Sequence, residues 1–356
     1  MSRTALVALS GGVDSAVTAW LLRERGYRVI GATLRLRHPD DDFYAHQRCG
    51  TGDDAEAVAE TVAKLKIEHH WLDRYPDFAA QVLTPAWQSY KNGLTPNPCV
   101  MCNPAIKFGG LIDFARQMGA ELLATGHYAT IVEVNGHLRV KRGNDRGKDQ
   151  SYFLYRLTQE QLEFTEFPLG NMLKSEVKEL AVSAGLERVS ARRESQDACF
   201  ACEGEPFSET LRRVCGDTAL PGVFIWRGKV VGKHAGAHLY TIGQRKGLNV
   251  ALGVPAYVKA IDPVRGEVEL TTDPTELERT TFNVTDTLFH ADPGEFASPR
   301  KVSVQIRYRS GAQSAETTPN TTGVSVKLEE SARAVTPGQS AVFYDGDIVA
   351  GGGVIE

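Results

Sequence analysis

The chain has 356 residues, 42% hydrophobic and 24% charged, with a formal net charge of -4. That composition describes an ordinary globular protein of two or three domains, and the negative balance excludes a protein that coats nucleic acid through summed positive charge. The N-terminal apolar run stops at Ser10-Gly11-Gly12, too short for a secretory signal, and no later run is long enough to span a bilayer. The expectation is an intracellular, cytoplasmic protein with no membrane association.

Thr4 to Leu9 reads as a strand, Ser15 to Arg25 as a helix stopped by Gly26, and Arg28 to Leu34 as a second strand. Asp53 to Leu65 follows as a helix capped by Asp53 or Asp54, then Glu68 to Leu72 as a strand. Ala105 to Met118 and Glu121 to Thr125 repeat the pair. This alternation predicts an α/β fold, a doubly wound parallel sheet. Between helix and strand, Asn92 to Pro104 carries Pro96, Pro98 and Pro104, which predicts irregular structure around Cys99 and Cys102. A hairpin turn at Asn135-Gly136 leads into Arg139, Lys141, Arg142, Arg146 and Lys148, a basic stretch readable as an RNA-facing surface or as an ordinary solvated hairpin.

After about Cys202 the pattern changes to short strands, Gly222 to Lys233 and Gly253 to Thr272, broken at Arg227-Gly228 and Arg265-Gly266. Lys301 to Tyr308, Gly323 to Leu328 and a pair around Asp345-Gly346 continue it to the end. The expected organisation is a nucleotide-binding domain over 1–203, a central β-rich, tRNA-contacting domain over 204–272 and a C-terminal β-barrel over 273–356.

Ser10-Gly11-Gly12-Val13-Asp14-Ser15 lies between a strand and a helix, so backbone N–H groups converge at the positive helix N-terminus and suit a phosphate. It lacks the lysine that ends a kinase-type P-loop. Asp14 suits either a helix cap or a Mg²⁺ ligand. Six cysteines occur, at 49, 99, 102, 199, 202 and 215, and four form two C-x-x-C pairs. Such pairs in a reducing compartment signal metal or redox chemistry rather than structural disulfides. Cys49 and Cys215 read as small buried residues. His69 and His70 point to opposite faces of a strand and cannot easily share one ion. Arg307-Tyr308-Arg309, read as strand, puts both arginines on one face, where phosphate contacts would be natural.

The S-G-G-x-D-S hexamer resembles the loop of the ATP pyrophosphatase superfamily, whose members cut ATP between the α- and β-phosphates and leave an adenylated substrate. Further blocks are similar to tRNA-specific 2-thiouridylases: Thr95-Pro96-Asn97-Pro98-Cys99-Val100-Met101-Cys102-Asn103, Ala124-Thr125-Gly126-His127-Tyr128, Lys148-Asp149-Gln150-Ser151-Tyr152-Phe153, Glu194-Ser195-Gln196-Asp197-Ala198-Cys199-Phe200, Tyr240-Thr241-Ile242-Gly243-Gln244-Arg245, Ile306-Arg307-Tyr308-Arg309 and Pro337-Gly338-Gln339. They run the length of the chain in the family's order.

The resemblance implies that Cys102 is the nucleophile and that Cys199 carries a persulfide. It implies that Ala8, Leu9, Ser10, Gly11, Gly12, Val13, Asp14, Ser15, Leu34 and Gly126 bind ATP, used with Mg²⁺. Asn97, Pro98 and Cys99 would meet the target base, while Lys148, Asp149, Gln150, Arg307 and Tyr308 touch tRNA, and His127 and Gln339 affect substrate recognition. The implied reaction is 2-thiolation of the wobble uridine, position 34, of tRNAs for Glu, Gln and Lys, with sulfur supplied by a cysteine desulfurase or relay protein. Many relatives carry aspartate where this chain has Cys99. That departure leaves open an iron–sulfur cluster or zinc on Cys99, Cys102 and Cys199 in place of persulfide chemistry. Three rivals stand beside this reading: an amide-forming synthetase sharing the ATP loop, a non-catalytic RNA-binding module, and a metal-storage or redox protein.

Overall fold

The computed structural model describes residues 3–37, 52–192, 205–290 and 293–356. Cys49, Cys199 and Cys202 lie outside the described residues, and with them the persulfide assignment and the three-cysteine metal set. The chain divides into two compact units, one of residues 1–81, 99–203 and 347–349, the other of 82–98, 204–346 and 350–356.

The first unit is built on five strands: β1 (Thr4–Ala8), β2 (Arg28–Arg35), β3 (Glu68–Asp73), β4 (Leu122–Ala124) and β7 (Thr165–Glu166). They lie in the order β3-β2-β1-β4-β7, all parallel, as the alternation of strand and helix predicts. Parallel strands covered on both faces need apolar side chains in both directions, and β1 supplies them, with Ala5, Leu6 and Val7 all fully buried. One face packs Ala5, Val7, Val29 and Ala124 against Ala19, Leu22, Val58 and Leu65 of the helices Val13–Glu24 and Gly52–Leu65. Successive connections leave β1 in opposite directions, to β2 on one side and β4 on the other. The crevice at the carboxyl ends of β1 and β4 is therefore the switch point where ligands bind in open α/β sheets. A hairpin, β5 (Ala129–Val134) and β6 (His137–Arg142), follows β4.

Three local expectations are corrected. Pro98–Cys102 is a short helix, not irregular chain, continuing through a wide π-type turn, Asn103–Gly109, into the helix Gly110–Gln117. Pro98 occupies a first-turn position, where its missing N–H leaves no hydrogen bond unmade, so it starts the helix instead of preventing it. The helix at 52–65 begins at Gly52, so Asp54 lies in its first turn and is not its cap. Residues 307–309 form a turn beyond the end of their strand, so the two-arginine face does not exist.

In the second unit, β8 (Gly222–Trp226), β9 (Lys229–His234), β10 (Tyr257–Asp262) and β11 (Glu267–Thr271) form a sheet in the order β10-β11-β8-β9 around Phe224, Tyr240, Val258, Val268 and Leu270. The remaining strands are β12 (Glu278–Phe289), β13 (Arg300–Gln305), β14 (Gln313–Pro319), β15 (Gly323–Arg333), β16 (Ser340–Asp345) and β17 (Ile348–Ile355). They run β12-β15-β14-β13-β16-β17, and the β12–β17 pairing of Val284 with Ile355 closes the barrel over Val304, Val326, Leu328 and Phe343. Among the described residues no helix is long and apolar enough to cross a membrane.

Candidate active site at the carboxyl edge of the parallel sheet

The loop after β1 turns at Ser10-Gly11-Gly12 into the twelve-residue helix Val13–Glu24. Gly12, its N-cap, has no side chain to cap the first-turn N–H groups, the arrangement that suits an anion. Ser15 Oγ donates to the Gly12 carbonyl at 2.9 Å and accepts from the Ser10 N–H at 3.2 Å, stitching both ends of the loop. Gly11 has φ +80, and a Cβ there would stand 2.7 Å from the Asp54 carbonyl oxygen. The loop is thus held tight against the next helix.

Gly126, just past β4, closes the other side of the crevice. A Cβ on it would lie 2.8 Å from the Asp14 carbonyl carbon and 3.0 Å from the Ser15 nitrogen, both backbone atoms at the helix start. Gly126→Ala is therefore expected to displace the first turn and, if the loop holds ATP as the family resemblance implies, to weaken its binding by about tenfold or more, with a smaller loss of stability. Titration with a fluorescent ATP analogue, alongside a melting curve, checks both parts.

Two cations from distant sequence complete the loop. Lys174, buried in the first turn of the helix Lys174–Ser183, sets Nζ 2.7 and 2.8 Å from the two Asp14 carboxylate oxygens. Tyr128 donates its hydroxyl to Asp14 Oδ1 at 2.8 Å. Arg192 donates to the Gly11 carbonyl at 3.0 Å and to Asp54 Oδ1 at 2.7 Å. Sequence reading missed all four partners, Lys174, Tyr128, Arg192 and Asp54. One signal existed: a lysine in a helix's first turn opposes the macrodipole and needs another reason to be there.

Asp14 is therefore neither a cap nor an open carboxylate. Among the described residues the two acids beside the loop, Asp14 and Asp54, are paired with protein cations, so the donor set suits an anion, and Mg²⁺ would be held chiefly by the phosphates and water it arrives with. Leu34 stands half-buried near the carboxyl end of β2, at the same edge of the sheet.

His127 packs between Phe108 and Phe167, with ring centroids 5.8 and 5.9 Å away, and its Nδ1 lies 2.7 Å from Thr125 Oγ1. Burial, with a lesser contribution from the Lys107 charge, pushes its pKa down to about 3. The ring is neutral at working pH and offers a hydrogen bond, not a cation. Below the ordinary imidazole value the unfolded chain takes up a proton that the folded chain refuses. Stability should fall by about 1.4 kcal/mol per pH unit from roughly pH 6.5 downward through this group. His127→Gln should flatten that slope in urea unfolding between pH 7 and 5.

The 148–150 segment braces the same region. Asp149 is buried and accepts from Arg142 at 2.8 Å, Gly143 N–H at 3.1 Å and Ser151 Oγ at 2.9 Å. Gln150 Oε1 accepts from the Tyr128 N–H at 3.1 Å, and its own N–H donates to the Tyr128 carbonyl at 2.9 Å. In the basic stretch, Arg139 is buried and Arg146 pairs with Asp347 at 2.5 Å, so much of that charge is tied into the protein.

Cys99 and Cys102 share one face of the helix Pro98–Cys102, the first half-buried and the second buried. The helix is fixed from below: Asn103 Nδ2 donates to the Phe153 carbonyl at 2.9 Å and Gln161 Nε2 to the Pro104 carbonyl at 2.7 Å. Its continuation supplies Lys107 and Phe108 to His127, so the cysteine helix and the crevice side at Gly126 belong to one packed assembly. Among the described residues no group of three or more His, Cys, Asp or Glu side chains is placed to hold a metal ion. His69 turns to Thr33 and His70 to Glu68. In the second unit, Asn97 and Pro98 end the 82–98 segment, Arg307 donates to the carbonyls of Arg333 and Ala334, and Gln339 Nε2 donates to the Thr95 carbonyl at 2.9 Å.

Residues 3–203 match the tRNA methyl transferase HUP domain, 209–271 the PRC-barrel domain and 279–355 the aminomethyltransferase β-barrel domain of one set of family models. A tRNA-specific 2-thiouridylase MnmA of Moorella thermoacetica is 42% identical over 99% of this chain and 99% of its own length. The enzyme of the same name from Clostridium acetobutylicum is 38% identical over the whole of both. Among solved structures, a 4-thiouridine synthetase–RNA complex with bound ATP is a partial likeness, 16% identical with a TM-score of 0.38 over 59% of this chain and 50% of that one. With full-length relatives at this level of identity, the chain belongs to the MnmA family of tRNA-specific 2-thiouridylases.

Proposed function

We propose that this protein uses ATP to thiolate the wobble uridine of tRNA at position 2. The observation that carries the reading is full-length similarity, 38–42%, to relatives named for that reaction. The phosphate-suited loop and the cysteine helix supply the chemistry it needs. The C2 oxygen of uracil is a poor leaving group. Its attack on the α-phosphorus of ATP expels pyrophosphate and leaves that oxygen esterified to AMP, which can depart. Ser10 to Ser15 and Gly126 bind the nucleotide, with the helix N-terminus facing developing phosphate charge. Lys174, arriving through the fold, takes the place of the lysine that the loop lacks. Mg²⁺, carried by the phosphates, supplies further charge neutralisation when bound.

Sulfur then enters as a nucleophile. Cys199 carries a persulfide, and attack of the Cys102 thiolate on the Cys199 sulfur releases hydrosulfide and forms a Cys102–Cys199 disulfide. The hydrosulfide adds at C2, AMP leaves with the former C2 oxygen, and a thiol reductant returns two electrons to the disulfide. Asn97, Pro98 and Cys99 meet the base, which is drawn out of its stack as chemistry on a base requires. The substrates are the tRNAs for Glu, Gln and Lys, and a cysteine desulfurase or relay protein loads Cys199. The test is reconstitution with ATP, Mg²⁺, a desulfurase and unmodified tRNA, followed by digestion and mass spectrometry. Appearance of 2-thiouridine, dependent on ATP and tRNA, is expected; ATP turnover with no thiolated base would overturn the reading in favour of an amide-forming synthetase.

A further inference from the structure

Thr95 lies two residues before Asn97, and each of its polar groups is engaged by chain far away in sequence. Its N–H donates to the Pro337 carbonyl at 2.9 Å, its carbonyl accepts from Gln339 Nε2 at 2.9 Å, and its hydroxyl donates to Thr241 Oγ1 at 3.2 Å. All of these residues belong to the second unit.

The partners are themselves fixed. Gly338 N–H donates to the Ile355 carbonyl at 2.8 Å and Ile355 N–H to the Gln339 carbonyl at 2.8 Å, clipping the 337–339 turn to the last barrel strand. Gly338 has φ +90, and a Cβ there would stand 2.8 Å from the Thr95 nitrogen, so the turn and the loop touch backbone to backbone. Thr336 Oγ1 donates to the Ala334 carbonyl at 2.9 Å, the same oxygen that takes Arg307. On the other side, Thr241 N–H donates to Gln244 Oε1 at 3.0 Å, and Gly243 N–H to the Val258 carbonyl at 2.8 Å.

Two sequence blocks, around Thr241 and Gln339, thus converge on one loop residue, and a third, around Arg307, braces the chain just before the second. We propose that Thr95 is the junction through which the barrel and the central β-sheet hold the base-reading loop, and that Gln339 is a positioning residue acting through Thr95. Its carboxamide nitrogen donates to the Thr95 carbonyl, and through that bond it bears on Asn97 and Pro98. Arg307 supports the same turn one step further back. The proposal rests on the thiolation reading for the role of the loop, while the clamp itself stands on geometry alone.

Gln339→Met keeps the reach of the side chain and removes the donor. Full-length wild type, Gln339→Met and Thr241→Val would be compared by amide hydrogen exchange of a peptide spanning 92–97, by tRNA affinity and by single-turnover thiolation. The expected result is exchange about tenfold faster in that peptide, thiolation slowed about tenfold and tRNA Kd within about twofold of wild type, the scale of one lost hydrogen bond. Unchanged exchange, or a weakened Kd with unchanged thiolation rate, would overturn the proposal and make Gln339 a direct RNA contact. Exchange needs no activity, so failure of the clamp is distinguishable from failure of the thiolation reading.

Discussion

Cys102→Ala is expected to lose thiolation by at least about 10³-fold while still forming the adenylate, because the nucleophile acts only after ATP has been spent. The side chain is buried, and removing its thiol to leave the alanine methyl group should cost about 1 kcal/mol, leaving the protein folded. ATP labelled at the α-phosphate separates the two steps. The variant should leave label on the RNA in a form that decays to AMP, whereas wild type with a sulfur source should release AMP and accumulate 2-thiouridine. If the variant thiolates at a tenth of the wild-type rate or better, Cys102 is not the nucleophile.

The second large effect is expected at Lys174. Lys174→Met should slow adenylation by about 10²- to 10³-fold, the range for removing one preorganised charge from a phosphoryl-transfer site. It also leaves Asp14, whose two carboxylate oxygens sit on the lost ammonium, with the Tyr128 hydroxyl and no cation among the described residues, at about 2 kcal/mol of stability. Adding Asp14→Asn separates these contributions. The double variant should regain most of the stability and none of the rate. Recovery of rate together with stability would reduce Lys174 to a structural partner of Asp14.

What was legible in the sequence is what local pattern decides. The apolar run of β1, the small residues after it and the helix that follows imply a parallel sheet with a loop suited to an anion, and the sheet order puts that loop at the switch point. The tertiary partners were not legible. Lys174 and Arg192 reach the loop across 160 and 181 residues of sequence, which no periodicity reports. Proline chemistry misled at 98–104, since a first-turn proline and an irregular segment look alike without knowing where the helix begins. The strand reading of Arg307 to Arg309 failed for a related reason: Gln305 donates its side-chain amide to the Arg307 and Tyr308 carbonyls at 3.0 and 2.8 Å, turning the chain out of the sheet. Motif resemblance marked Gln339 and Asp149 as residues that matter. It did not say that their side chains would be spent on protein atoms.

In the proposed reaction the oxygen leaving the base leaves as part of AMP. The direct measurement uses tRNA whose wobble uridine carries ¹⁸O at C2, with ATP, Mg²⁺ and a sulfur source, followed by mass spectrometry of the released AMP. Activation as an adenylate predicts one ¹⁸O in the AMP phosphate for each 2-thiouridine formed. Thiolation with unlabelled AMP, the heavy oxygen appearing in water, would contradict adenylation of the base and leave the loop only an indirect part in the reaction.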